Sequence, residues 1–121
     1  MKKIIFCLFL LVLTAGFVST QQRASPPPEV TIINNTGYPI YEIYMTPDFD
    51  DYWGDDWLNG RTIRNGESVT LTMEYTLSEA NIYDICLVDT DDDTYTKMGV
   101  NITQVSSRRI EFTFDDFDYN N

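Results

Sequence analysis

The clearest signal along this chain is alternation. In residues 68–74, Val69, Leu71 and Met73 share one face while Ser68, Thr70, Thr72 and Glu74 share the other, the period of two that marks a strand with one buried and one wet side. Residues 108–115 repeat it, with Ile110, Phe112 and Phe114 opposite Glu111 and Thr113. A third such segment, 94–102, sets Thr96, Met98 and Val100 on a common face. Residues 82–88 are nearly all apolar, with Tyr83, Ile85 and Leu87 pointing one way and Cys86 and Val88 the other, which predicts a central strand. Two more strands are expected nearer the start. One covers 30–34 and is β-branched; the other begins at Tyr38, places Tyr41, Ile43 and Met45 opposite Tyr38, Ile40, Glu42 and Tyr44, and is stopped by Pro47.

Turn chemistry punctuates these runs. Asn34, Asn35, Thr36 and Gly37 predict a hairpin between the first two strands, and Pro39 confines the second to a sheet edge or to a start at that point. Asn65-Gly66 is the strongest tight-turn pair, preceded by a candidate short strand over 61–64. Only 76–81 admits a helical turn. The expected fold is all-β, a single antiparallel β-sandwich of six to eight short strands. Within it, Asp84 is expected to pair with Arg108 or Arg109.

The ends of the chain read differently. Lys2 and Lys3 precede an apolar run over 4–13 that is too short to span a bilayer, so residues 1–22 are read as a signal peptide and the mature protein as secreted or periplasmic. Residues 23–28, with Pro26, Pro27 and Pro28, form a stiff spacer before a domain at 29–115. An acidic tail, 116–121, should fray except where Phe117 or Tyr119 docks. No second long apolar run follows, so no transmembrane segment is expected in the mature protein. Cys86 is then the sole remaining cysteine; it cannot form an internal disulfide and is expected to be a buried, inert thiol.

Charge narrows the function. The whole chain carries a formal charge of −11; loss of Lys2 and Lys3 leaves six basic residues against nineteen acidic ones, or −13. Such a field repels nucleic acid and favours divalent cations or basic partners, while also serving solubility. Histidine is absent, which removes the common triads and zinc ligand sets and leaves carboxylates as the available chemistry, so no enzyme activity is expected.

The acidic residues gather in two loops. Asp48, Asp50, Asp51, Asp55 and Asp56 surround Tyr52, Trp53 and Trp57, and no lysine or arginine intervenes before Arg61. A hard cation takes six to eight oxygen ligands, so this loop is the first candidate calcium site. Asp89, Asp91 and Asp93 form a second candidate, with the first three ligand spacings of a helix-loop-helix calcium loop but Thr94 and Val100 where glycine and glutamate belong. An ordinary acidic turn explains the same residues. Tyr52, Trp53 and Trp57 serve equally as flat faces for a glycan or as anchors for a protein partner, without metal, and a purely structural envelope or surface protein is the remaining alternative. Trp53 is expected to be buried under its loop and Trp57 to be exposed. If 61–64 is a strand, three crossings put the two loops at opposite ends of the fold, and if it is only a turn, two crossings let them meet; opposite ends are expected.

Taken together, Asn35-Thr36-Gly37, Ile40-Tyr41, Thr46-Pro47, Trp53-Gly54 with Asp56 and Leu58, Gly66 with Ser68, Tyr83-Asp84-Ile85, and Asp89, Asp91 and Asp93 resemble a loose set of small uncharacterised secreted bacterial proteins. The likeness spans about residues 30–102 and departs at Asn65, where that pattern tends to have proline, and at Asp92, where it tends to have glycine. It implies a shared fold and bacterial export, and it brings no catalytic residue.

Overall fold

The computed structural model describes residues 25–119 and is all-β. Its strands are β1 (Glu29–Asn35), β2 (Ile40–Pro47), β3 (Ser68–Thr72), β4 (Ile82–Asp89), β5 (Thr94–Asn101) and β6 (Arg109–Thr113). They form two three-stranded sheets, ordered β3-β1-β6 and β2-β4-β5. Beyond the strands, the described residues contain only two short 3-10 turns, Ser106–Arg108 and Phe114–Asp116, and none of their helices is long and apolar enough to cross a membrane. The expected signal peptide at 1–22 lies outside the described residues.

Alternation accounts for most of the core. Val30 and Ile32 from β1, Val69 and Leu71 from β3, and Ile110 and Phe112 from β6 meet Ile43 and Met45 from β2 and Tyr83, Ile85 and Leu87 from β4 in one continuous apolar cluster. β4 is the middle strand of its sheet, as its apolar run predicts. The face grouped by alternation in β5 is split: Met98 is exposed while Val100 packs against the core, as does buried Tyr95. An extra β5 residue sits between the Tyr83↔Val100 and Ile85↔Lys97 pairs, and Gly99, at φ +64°, takes the turn this bulge requires. Asp84 serves that bulge, accepting the Gly99 amide at 2.8 Å, and so does not pair with Arg108 or Arg109.

A bulge also corrects the reading of β2. Its register shifts between Ile40 and Glu42, so Ile40 and Ile43 are both buried and Tyr41 turns out of the core. The sheets are not wholly antiparallel either. β6 runs parallel to β1, which long-range connection through the second sheet permits.

The predicted hairpin at residues 34–37 is instead a corner between sheets, because β1 and β2 never pair. Asn34 makes the corner. Fully buried, it accepts the Thr36 amide (3.1 Å) and hydroxyl (2.7 Å) on Oδ1 and donates from Nδ2 to the Tyr38 (2.8 Å) and Ile63 (3.0 Å) carbonyls. Its backbone holds the Asn65-Gly66 turn through Asn34 N to Glu67 O and Gly66 N to Asn34 O.

The expected strand at 61–64 shrinks to one bridge, Ile40↔Ile63. That bridge belongs to a longer device, since residues 56–63 run along the outer edge of β2. Asp56 Oδ1 accepts the Ile43 amide at 2.9 Å, the Trp57 amide donates to Ile43 O at 2.8 Å, and the Trp57 indole donates to Met45 O at 3.1 Å. The β5 edge is covered by the C-terminal segment: Asp118 N donates to Thr94 O, Asp118 Oδ2 accepts the Thr94 and Thr96 hydroxyls, and Lys97 pairs with Asp116 at 2.9 Å. Phe117 packs on the core and stacks on Phe114, so residues 116–119 are docked and the ordered domain extends past 115.

Replacing Asn34 with alanine leaves the Thr36 amide unpaired inside the corner and removes one of the two donors from each of the Tyr38 and Ile63 carbonyls. It should lower stability by about 3 kcal/mol, read as a drop in the urea midpoint at unchanged slope.

Candidate functional site

Pro47 ends β2 and the chain turns at once, with Asp50 N donating to Pro47 O and Asp48 N reaching back to Ile82 O. The loop that follows is pinned by Phe49 against Tyr75 at 6.0 Å, edge to face, and at its far end by the Asp56 and Trp57 bonds to β2. Gly54 takes φ +78°, a conformation that lets the loop double back between Trp53 and Asp55. Between these pins lies a cleft of about 620 Å³. It is lined by Tyr52, Trp53 and Trp57 from the loop, Glu74 and Tyr75 from the connection after β3, Tyr83 from β4, and Met45 and Pro47 from β2.

The two tryptophans exchange the roles expected of them. Trp57 packs on the core and spends its indole N–H on Met45, whereas Trp53 is 38% exposed and Tyr52 is 84% exposed. The cause is the edge of β2: a strand edge with unpaired carbonyls demands donors, and the residue directly after the Asp56 cap is the one in register to supply them.

The five aspartates of the first loop do not come together as one ligand set. Asp56 is committed to the Ile43 and Leu58 amides, each at 2.9 Å. Asp50 accepts the Thr46 hydroxyl at 3.4 Å, and Asp48, Asp51 and Asp55 are exposed. Among the described residues, the three carboxylates whose oxygens all lie within 4.8 Å of one another are Asp89, Asp91 and Asp93. There, buried Asp89 caps the β4–β5 turn, its Oδ1 accepting the Asp91 (2.9 Å) and Asp93 (3.0 Å) amides and its Oδ2 the Tyr95 hydroxyl at 3.0 Å. Burial, then the bond to Asp89, raises the Tyr95 phenol well above its ordinary range, so it remains a neutral donor. Asp92 holds φ +64°, where the resembled pattern has glycine, and is tied to the Tyr41 hydroxyl.

The two acidic loops lie at opposite ends of β4, although 61–64 is not the strand on which that expectation rested. The first meets Ile82 and Tyr83 at its start, the second follows Asp89 at its end, and seven residues of strand rise separate these ends by about 23 Å. They cannot share an ion.

Three cleft residues escaped the sequence reading: Glu74, Tyr75 and Tyr83. Glu74 and Tyr83 fit the strand alternation and look like ordinary solvent and core positions. The one available cue was Tyr83 itself, a phenol within an apolar run that needs a hydrogen-bond partner if buried. It is 2% exposed, and its hydroxyl has no such partner among the described residues. Cys86, at 8% exposure, is buried as expected, and desolvation raises its thiol pKa, keeping it protonated and unreactive. No protein-family model matches the chain, and neither curated proteins nor solved structures give a match.

Trp57→Ala should cost about 3 kcal/mol, while Trp53→Ala should stay within about 1 kcal/mol. Paired urea titrations of the two variants test this, and the reverse order would contradict the role given to Trp57.

Proposed function

We propose that this is a small exported β-sandwich protein of bacterial type that acts as a non-catalytic binding module, with the cleft beside Trp53 as its ligand face. The observation that carries this reading is the exposure of two large aromatics, Tyr52 and Trp53, that line a cleft. Exposed aromatics with little burial to lose are the side chains that gain most from stacking on a ligand. The contribution of both sheets to one core supports the sandwich. The charged start and apolar run at the N-terminus support the signal peptide at 1–22, and the resemblance supports export. A role without catalysis is supported by the lack of histidine and by aspartates that are either solvated or spent on backbone amides.

The test is a panel of immobilised glycans and peptides probed with the mature protein and with the Tyr52→Ala, Trp53→Ala double variant. Because both side chains are exposed, the variant should melt within a few degrees of the wild type and lose the ligands that the wild type retains. Equal binding by both proteins across the panel would dismiss this cleft as the ligand face.

Calcium is the second reading, and the 4.8 Å grouping of Asp89, Asp91 and Asp93 favours it at the second loop over the first. Three carboxylates supply part of a calcium shell, with water completing it. Millimolar calcium should raise the melting midpoint relative to chelator, by mass action on the folded state, and Asp91→Asn with Asp93→Asn should abolish the rise. An equal midpoint with calcium and with chelator would leave Asp89 as a turn cap only.

A further inference from the structure

The cleft has a chemical bias that goes beyond its being a binding face. Its acidic lining residues are Asp50, Asp55, Asp56 and Glu74, and no lysine or arginine lines it. Arg61, the next base along the chain, turns its Nε back to the Leu58 carbonyl at 3.2 Å. Asp55 and Glu74 make no hydrogen bond or ion pair with the described residues. In the same lining, the buried Tyr83 hydroxyl has neither donor nor acceptor, a condition that costs free energy unless something in the cleft relieves it. The surrounding charge raises the Tyr83 phenol further: burial is the main cause, followed by Tyr75, Glu74 and Glu79. Tyr75 and Trp53 line the same cleft, and Tyr75 and Glu74 are the lining groups whose charge acts on this hydroxyl.

Resting on the reading of the cleft as the binding face, we propose that it binds a hydrogen-bonding organic cation: the guanidinium or ammonium of an arginine or lysine side chain on a basic protein partner. An N–H from that group donates to Tyr83 Oη, satisfying the buried oxygen. The positive charge lies against the faces of Trp53 and Tyr75, where cation–π attraction is strongest in a partly desolvated site. Asp55 and Glu74 at the mouth complete the charge balance. Anionic ligands are repelled by this lining. A quaternary ammonium would satisfy the aromatic walls but has no N–H for Tyr83. A volume of about 620 Å³ exceeds one guanidinium and accommodates the side chain with its flanking peptide. The strong acidity of the whole chain then steers a basic partner toward it.

The experiment is an NMR titration of the mature protein, following the Trp53 indole and the amides of Tyr75 and Tyr83, with a capped arginine tripeptide, spermidine, tetramethylammonium and a neutral oligosaccharide as probes. The arginine peptide should shift these resonances and bind at least about tenfold more tightly than tetramethylammonium. Tyr83→Phe changes no charge and removes only the orphaned hydroxyl, so it should fold with an equal or higher midpoint yet weaken the arginine peptide about fivefold or more. Asp55→Asn with Glu74→Gln should weaken it further and flatten its salt dependence. Equal affinity in wild type and Tyr83→Phe would overturn the proposal, because attraction of a basic peptide to an acidic surface needs no hydroxyl. Tighter binding of spermidine than of the peptide would overturn the protein partner. Shifts at Trp53 from the oligosaccharide alone would overturn the cation while preserving the cleft as a ligand face, and no shift at Trp53 from any probe would remove both.

Discussion

The buried carboxamide of Asn34 is the joint on which this fold turns. A two-sheet protein must carry its chain from one sheet to the other without leaving backbone groups unpaired in the interior, and this is where the first strand does so. Asn34 has both acceptor and donor functions on one short side chain, so it can bond forward to Thr36 and Tyr38 and across to Ile63 at once. The consequence reaches well beyond the corner. Holding Ile63 beside Ile40 fixes where the long excursion after β2 must return, and that in turn lays residues 56–63 along the open edge of β2.

Both edges of the second sheet are closed by irregular chain rather than by further strands. Asp56 and Asp118 each serve one edge: the Asp56 carboxylate accepts the Ile43 amide as a neighbouring strand's carbonyl would, whereas Asp118 donates its own amide to Thr94 O and accepts the Thr94 and Thr96 hydroxyls on its carboxylate. Such covers blunt edges that would otherwise template pairing with another chain. They also explain part of the acidity of this protein without invoking a ligand. By contrast, β3 and β6 present outer edges in short strands of five residues, a length that itself limits intermolecular pairing.

The cleft is a by-product of the same cover. Trp57 and Asp56 are consumed in sealing β2, while Asp55 and, on the far side of Gly54, Trp53 and Tyr52 stay exposed. Within five residues the C-terminal half of the motif supports the sheet and the N-terminal half is left exposed. The rest of the lining is set independently, by Phe49 against Tyr75 and by the position of Tyr83 in the central strand. The cleft is thus assembled from separate stretches of chain and leaves one buried hydroxyl, that of Tyr83, unpaired among the described residues.

Alternation along the chain determined the strand set, the apolar faces of β1, β3 and β6, the middle place of β4 and the burial of Cys86, because period-two burial is a local property that each segment carries by itself. Composition determined the absence of histidine chemistry and the acidic field. What tertiary structure alone decided was everything that depends on which segment lies beside which. The bulges at Tyr41 and Gly99 changed which residues face inward after an apparently regular run. Parallel pairing of β1 with β6 joins strands separated by most of the domain. The exchange of roles between Trp53 and Trp57 followed from the hydrogen-bonding demand of an edge formed elsewhere. The clustering of Asp89, Asp91 and Asp93, in place of the denser aspartates at 48–56, followed from one buried carboxylate collecting two amides around itself. Sequence spacing reports how many acids or aromatics are near one another along the chain, but a ligand site depends on where backbone donors and strand edges recruit them, and that is a property of pairing at long range.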